Sequence, residues 1–132
     1  MSMKEQYLFR GKRMDSGEWI IGYLIQVGKP TGGVGCVIQH DFVTENDVET
    51  SYLMTEVDPA TIGQCTGVLD KRGVYIFEGD IVVNLGSGSI GYIEFKDGHF
   101  CFVFKEPGPI ESIGITHYID DMSLEIIGKI SD

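Results

Sequence analysis

Long apolar runs are missing. No stretch of ~18 consecutive apolar residues occurs, the length a membrane-spanning helix needs. The opening residues, MSMKEQYLFRGKR, carry charge throughout and have no apolar signal core, so export is not expected. Cysteine is sparse and odd in number: Cys36, Cys65 and Cys101, with no CxxC pair. That count excludes a fully paired disulfide framework and fits reduced thiols packed as small hydrophobes in a cytosol. Basic residues number 10 against 20 acidic ones, a net charge of −10, so the summed field repels phosphates and anionic membranes. No lysine follows a glycine loop as in a P-loop, and neither HExxH nor a GxSxG elbow is present. No catalytic residue, cofactor site or metal site is expected from motifs.

Proline is scarce and glycine abundant, 4 against 18, a balance that suits tight turns between short strands. The dominant period is two. In QYLFRGKR, Tyr7 and Phe9 alternate with Leu8 and Arg10; MDSG then offers Asp15, Ser16 and Gly17 for a turn, and EWIIGYLI returns as a strand. A β-hairpin over residues 6–25 follows from this pattern. CVIQH predicts a third strand, DFVTENDVETS (residues 41–51) an acidic surface loop, and YLMTEV another strand. In DPATIG, Asp58 is placed as an N-cap, Pro59 at the first helical position and Gly63 as a stop, which predicts a single helical turn.

From Gln64 onward, strands come at short intervals: QCTGV, VYIF, IVVN, IGYIEF and HFCFVFK, with EPGPIESIG as a loop and SLEIIGKI closing the chain. Phe100, Phe102 and Phe104 share one strand face; Leu124, Ile126 and Ile130 are expected on one side of the last strand. Regular short strands and Gly- and Asp-rich turns indicate an all-β fold, barrel or sandwich, with at most one or two short helical turns. Two small β units are expected, residues 1–63 and 64–132, meeting near Gly63 to Gly67.

Several stretches invite a chemical reading. GSGSIG, Gly86 to Gly91, matches GxGxxG by letter, but a strand follows where a dinucleotide site needs a helix start, so it is read as a hairpin loop. His40, His99 and His117 are far apart in sequence; His99 and Cys101 share a strand face as metal ligands sometimes do, but that spacing recurs by chance in many strands and non-ligand roles are favoured. His117, Asp120 and Asp121 form the densest polar cluster near the C-terminus; an acid–base pair is conceivable there, but the favoured reading is a polar turn entering the last strand. In YIFEGDIVV, Glu78 and Asp80 flank Gly79, whose freedom suggests a bend. A bend separates the two carboxylates and lets Asp80 accept hydrogen bonds from nearby backbone, so EGD is read as a corner, not a reaction centre. Arg10, Lys12 and Arg13, with Lys71 and Arg72, are the only small basic clusters. With Trp19, and Tyr23 on the same face, they are the candidates for nucleic-acid contact, although a solvated hairpin end for the cations and a core anchor for the lone tryptophan are the favoured readings.

Three segments in order, YLFRGKRMDSGEWIIGYLI, VDPATIGQCTGVLDKRGVYIFEGDIV and EIIGKI, together resemble the YopX family of bacteriophage and prophage proteins. The middle segment is the most specific. The residues carrying the resemblance include Arg10, Gly11, Trp19, Gly22, Asp58, Pro59, Gly63, Gln64, Gly67, Glu78, Gly79 and Asp80. The resemblance implies an all-β protein with an SH3-like barrel in its later half, phage or prophage origin and a cytoplasmic location in the bacterial host. It brings no activity and no catalytic residues. The leading expectation is a non-catalytic binding or assembly module that engages a protein partner or itself, with homo-oligomers expected from short edge strands. The alternatives are a nucleic-acid-binding accessory protein using the basic hairpin, and a small enzyme using Asp120, Asp121 and His117.

Overall fold

The structure, a computed structural model, describes residues 7–29, 32–43, 50–105, 110–115 and 124–132. All strand pairing within it is antiparallel, in two sheets, and the one helical element is a 3-10 turn. The chain divides into two compact units, one spanning Tyr7–Gln64 and the other including Cys65–Asp132.

The first unit is built on β1 (Phe9–Lys12), β2 (Trp19–Gly28), β3 (Val34–Val43) and β4 (Thr50–Glu56), paired in the order β4-β3-β2-β1. The MDSG turn closes the β1–β2 hairpin as its residues predict. Gly17 takes φ +75° and donates to the Arg13 carbonyl, and the Ser16 hydroxyl accepts from the Glu18 N–H. Alternation then sorts β2. Ile20 and Leu24 pack on a core of Cys36, Ile38 and Val57, joined by Ile62, while Ile21, Tyr23 and Val27 point outward. Gly22 sits on the packed side, where a Cβ would lie 2.1 Å from the Gln39 carbonyl oxygen, closer than any side chain permits. Asp58 caps the 3-10 turn Pro59–Thr61, its Oδ1 accepting from the Ala60 N–H at 3.0 Å.

Two expectations here need correction. Within the acidic loop drawn over residues 41–51, Asp41 to Val43 belong to β3, and Thr50 and Ser51 belong to β4, paired as Asp41↔Tyr52, Phe42↔Ser51 and Val43↔Thr50. Ladder pairing uses backbone groups that every non-proline residue carries, so strands run on past the end of their apolar alternation; residues 44–49 lie outside the described residues. Gly63 is not the stop of the helical turn. Extended Ile62 ends it, with its N–H on the Pro59 carbonyl, and Gly63 opens β5 (Gly63–Leu69).

The first two residues of β5 pair with β1, as Phe9↔Gln64 and Arg10↔Gly63. The rest enters the second unit, where β5 pairs with β6 (Tyr75–Phe77) through Cys65↔Phe77 and Leu69↔Tyr75. β7 (Asp80–Asn84), β8 (Ile90–Lys96), β9 (His99–Lys105), β10 (Ile110–Gly114) and β11 (Leu124–Lys129) form one sheet in the order β10-β9-β8-β7-β11. Its core is Ile76, Val82, Ile93, Phe102, Ile115 and Leu124, with half-buried Phe100 and Phe104 packed beside it. Each such side chain contributes about 1.5–3 kcal/mol when fully buried. The other face of β9 is covered as well, since Cys101 and Val103 are buried.

Three expectations for this half are revised. Ile110 to Gly114, inside the supposed loop EPGPIESIG, is a strand paired with β9. Ile130 is 54% exposed and does not continue the face of Leu124 and Ile126, because the register shifts between Ile126 and Gly128. The SH3-like barrel implied for the later half is not closed: β10 and β11 are the two edges of an open order, with no pairing between them among the described residues.

Candidate interaction surface

Because Ile20 and Leu24 of β2 turn toward the core, the odd-numbered side chains of this strand are presented on the other face of the sheet. Register places Tyr23 opposite Gln39 and Gln39 opposite Met54, so a row crosses three strands on that face. Ile21 is 50% exposed and Met54 62% exposed, with Tyr23 and Val27 also open. An apolar outer face on a sheet whose inner face already holds the core has no packing role inside that sheet.

Trp19 lies at one end of this face, opposite Lys12, with Arg10 opposite Ile21. The Arg10 guanidinium is 4.9 Å from the Trp19 ring centroid and the Lys12 ammonium 5.4 Å. Cation–π contacts of this kind contribute about 0.5–2 kcal/mol each. Arg10 is nonetheless buried, not displayed. Arg13 is spent on Asp15, with Nε and Nη2 donating to its two carboxylate oxygens at 2.9 Å each. Those hydrogen bonds hold the Asp15 carboxyl below its ordinary value and raise the Arg13 guanidinium above its own. Lys71 and Arg72 belong to the other unit. Lys71 is exposed, while Arg72 donates to the Ile126 carbonyl at 2.7 Å and pairs with Asp70 and Glu125 at 3.6 and 3.7 Å. Of the five basic candidates, then, the geometry brings Arg10 and Lys12 together on one ring and commits Arg13 and Arg72 to local acids.

At EGD the chain turns on Gly79, with φ +92°. Asp80 is fully buried and its Oδ2 accepts from the Phe77 N–H at 2.7 Å; Glu78 is half-buried. Gly79 donates to the Ile93 carbonyl at 2.9 Å and accepts from the Ile130 N–H at 2.8 Å, which ties the corner to β8 and to the end of β11. The glycine-rich loop is a hairpin connection between β7 and β8: Asn84 Oδ1 accepts from the Gly86 and Ser87 N–H groups, and a strand follows. Gly11 lies against Val57, where a Cβ would meet the Val57 Cβ at 3.0 Å, and Gly67 takes φ +80°. His40 Nε2 lies 3.0 Å from the Thr55 hydroxyl and His99 Nδ1 3.2 Å from the Asp97 carbonyl, and the two histidines belong to different units. Among the described residues no three His, Cys, Asp or Glu gather as a metal-binding group. His117, Asp120 and Asp121 lie outside the described residues.

One buried acid had drawn no attention as a sequence. Asp70, in the turn LDKRG, has no exposed surface. Its Oδ1 accepts from the N–H groups of Arg72 and Val74 at 2.9 Å each, and its Oδ2 from Ile126 at 3.2 Å, 56 residues further along the chain. Burial alone pushes this carboxyl up. The Val74, Ile126 and Arg72 N–H donors and the Arg72 charge outweigh it, and the net shift is below the ordinary value. Asp followed by Gly three residues later signals a turn; no local pattern signals the reach to Ile126.

These features coincide with the comparison to known proteins. A family model described as YopX protein matches residues 8–132, nearly the whole chain and all of the strands above. The chain belongs to the YopX family. No curated protein matches it individually. Membership brings no reaction to this YopX chain. No helix among its described residues is long and apolar enough to cross a membrane.

Proposed function

We propose that this YopX chain is a non-catalytic binding or assembly module whose docking surface is the outer face of β2, β3 and β4. The observation that carries the reading is the exposed row of Ile21, Tyr23 and Met54 on a sheet that buries its core on the opposite side. The occupant is a protein surface. A net charge of −10 disfavours a phosphate backbone, whereas apolar burial on such a face needs no opposite charge. Self-association is the simplest form of the same contact, and the expectation of homo-oligomers belongs here. Phage or prophage origin and residence in the host cytoplasm are part of this proposal; replication, lysis or tail genes beside the coding sequence would support it.

The test is a paired one. Ile21→Lys with Met54→Lys changes two exposed side chains and leaves the core intact. Light scattering of both proteins at high concentration reads self-association, and a pull-down from host cells with both as bait reads a partner. The reading requires that the substituted protein lose mass or lose a partner that the parent captures. Equal masses and identical captures from a folded variant defeat it. A second reading rests on Trp19 with Arg10 and Lys12 beside it, and takes single-stranded nucleic acid as ligand. A Trp19 fluorescence titration at ~50 mM salt, where phosphate contacts are strong, decides that reading.

A further inference from the structure

Among the described residues β11 is an edge strand, with β7 on one side and no strand on the other. In an antiparallel ladder, alternate residues turn both backbone groups away from their partner. Ile126 is such a residue, paired across from Val82. Its outward N–H donates to Asp70 Oδ2 at 3.2 Å, and its outward carbonyl accepts from Arg72 Nη2 at 2.7 Å. Two residues earlier the Leu124 carbonyl accepts from the Lys71 N–H at 2.9 Å. A carboxylate, a guanidinium and one amide of a single turn therefore fill the places that a neighbouring strand would take. Beyond them the register shift between Ile126 and Gly128 breaks the ladder.

We infer that Asp70 and Arg72 form a fork that mimics a paired strand and closes the β11 edge to a second copy of this chain. The turn does not require the fork to reach so far. Asp70 Oδ1 alone serves the Arg72 and Val74 N–H groups, so Oδ2 and the half-exposed guanidinium are spent on Ile126. The segment they cover, LEII, is short, β-prone and, apart from Glu125, apolar, with Ile127 52% exposed. That composition invites isologous antiparallel pairing once its backbone is uncovered. The inference stands apart from the proposed docking face, since it concerns the other unit and holds whether or not that face binds anything.

The experiment replaces the fork in the full chain with Asp70→Asn and Arg72→Leu, in an Ile21→Lys, Met54→Lys background that removes the docking face from the comparison. Light scattering over a concentration series should show self-association at least about tenfold tighter than in the fork-bearing parent, ~1.4 kcal/mol. Ile127→Cys added to both proteins should give a disulfide-linked dimer only where the fork is gone. Amide exchange should show Ile126 losing protection in dilute solution and regaining it on association. An unchanged mass in a strand-rich, folded variant overturns the inference, and so does equal cross-linking with and without the fork. If the double substitution fails to fold, Arg72→Leu alone, which leaves the Asp70 hydrogen bonds in place, must show a smaller gain in association; no gain overturns it as well.

Discussion

Replacing Asp70 by Asn tests the energetic account of the second unit most directly. The side chain is fully buried and accepts three backbone N–H groups. Asparagine keeps the shape and one acceptor oxygen but turns an NH2 toward a donor. Stranding a buried donor costs about 1–3 kcal/mol, and hydrogen bonds to a charged acceptor are worth about 1.5–3 kcal/mol. The Arg72 and Val74 amides lie in an exposed turn and can regain water, so the loss is dominated by Ile126. About 2–3 kcal/mol follows, a large fraction of the 5–15 kcal/mol that holds a typical domain together. Denaturant unfolding read by circular dichroism, with amide exchange at Ile76, Val82 and Ile93 to localise it, measures the difference. The pH dependence is a sharper check. The folded-state pKa of Asp70 lies below its ordinary value of 3.8. Its stabilisation is therefore complete above that value and is lost as pH falls through the lower, folded-state one. The gap between parent and Asp70→Asn should be level from about pH 7 to pH 5 and close below about pH 4. A gap under about 0.5 kcal/mol at neutral pH, or one that stays level in strong acid, would refute the reasoning.

Three further outcomes are expected. Gly79→Ala places a Cβ at φ +92° and should lower stability by about 1–3 kcal/mol in a denaturant titration, with Gly79→Asn milder because asparagine tolerates left-handed backbone better. Phe102→Ala empties the centre of the larger core and should cost about 3–5 kcal/mol, measured the same way or as failure to fold at elevated temperature. Asp58→Ala removes the acceptor for the Ala60 N–H and should cost about 1 kcal/mol, seen as faster exchange at Ala60 with the Ile38 amide unaffected.

Local pattern carried much of the fold. Alternation in WIIGYLI and HFCFVFK told which side chains share a face, because strand geometry alone decides the period. Which face is covered it did not tell: in HFCFVFK, Phe102 on one side and Cys101 and Val103 on the other are all buried. The bend at Gly79 and the cap at Asp58 were legible for the same reason: each is a property of a few consecutive residues. The errors share a cause as well. Asp41 to Val43 and Ile110 to Gly114 are strands whose pairing rests on backbone groups, which leave no mark in side-chain composition. The shift that turns Ile130 outward is a one-residue slip that no hydrophobic count reports.

The candidate surface divides in the same way. The sequence put Trp19 and Tyr23 on one face and Arg10, Lys12 and Arg13 near each other, since spacing along a strand determines which side chains share a side. Which of those cations remain available was decided in space, where Arg10 is buried against Trp19 and Arg13 is held by Asp15. Asp70 shows the boundary most clearly. Its role in its own turn is a matter of four residues, but its hold on Ile126 exists only because a strand from the far end of the chain arrives there. Short-range order can be read from residue type because the interacting groups are covalent neighbours; contacts across such a separation depend on the packing of everything between them.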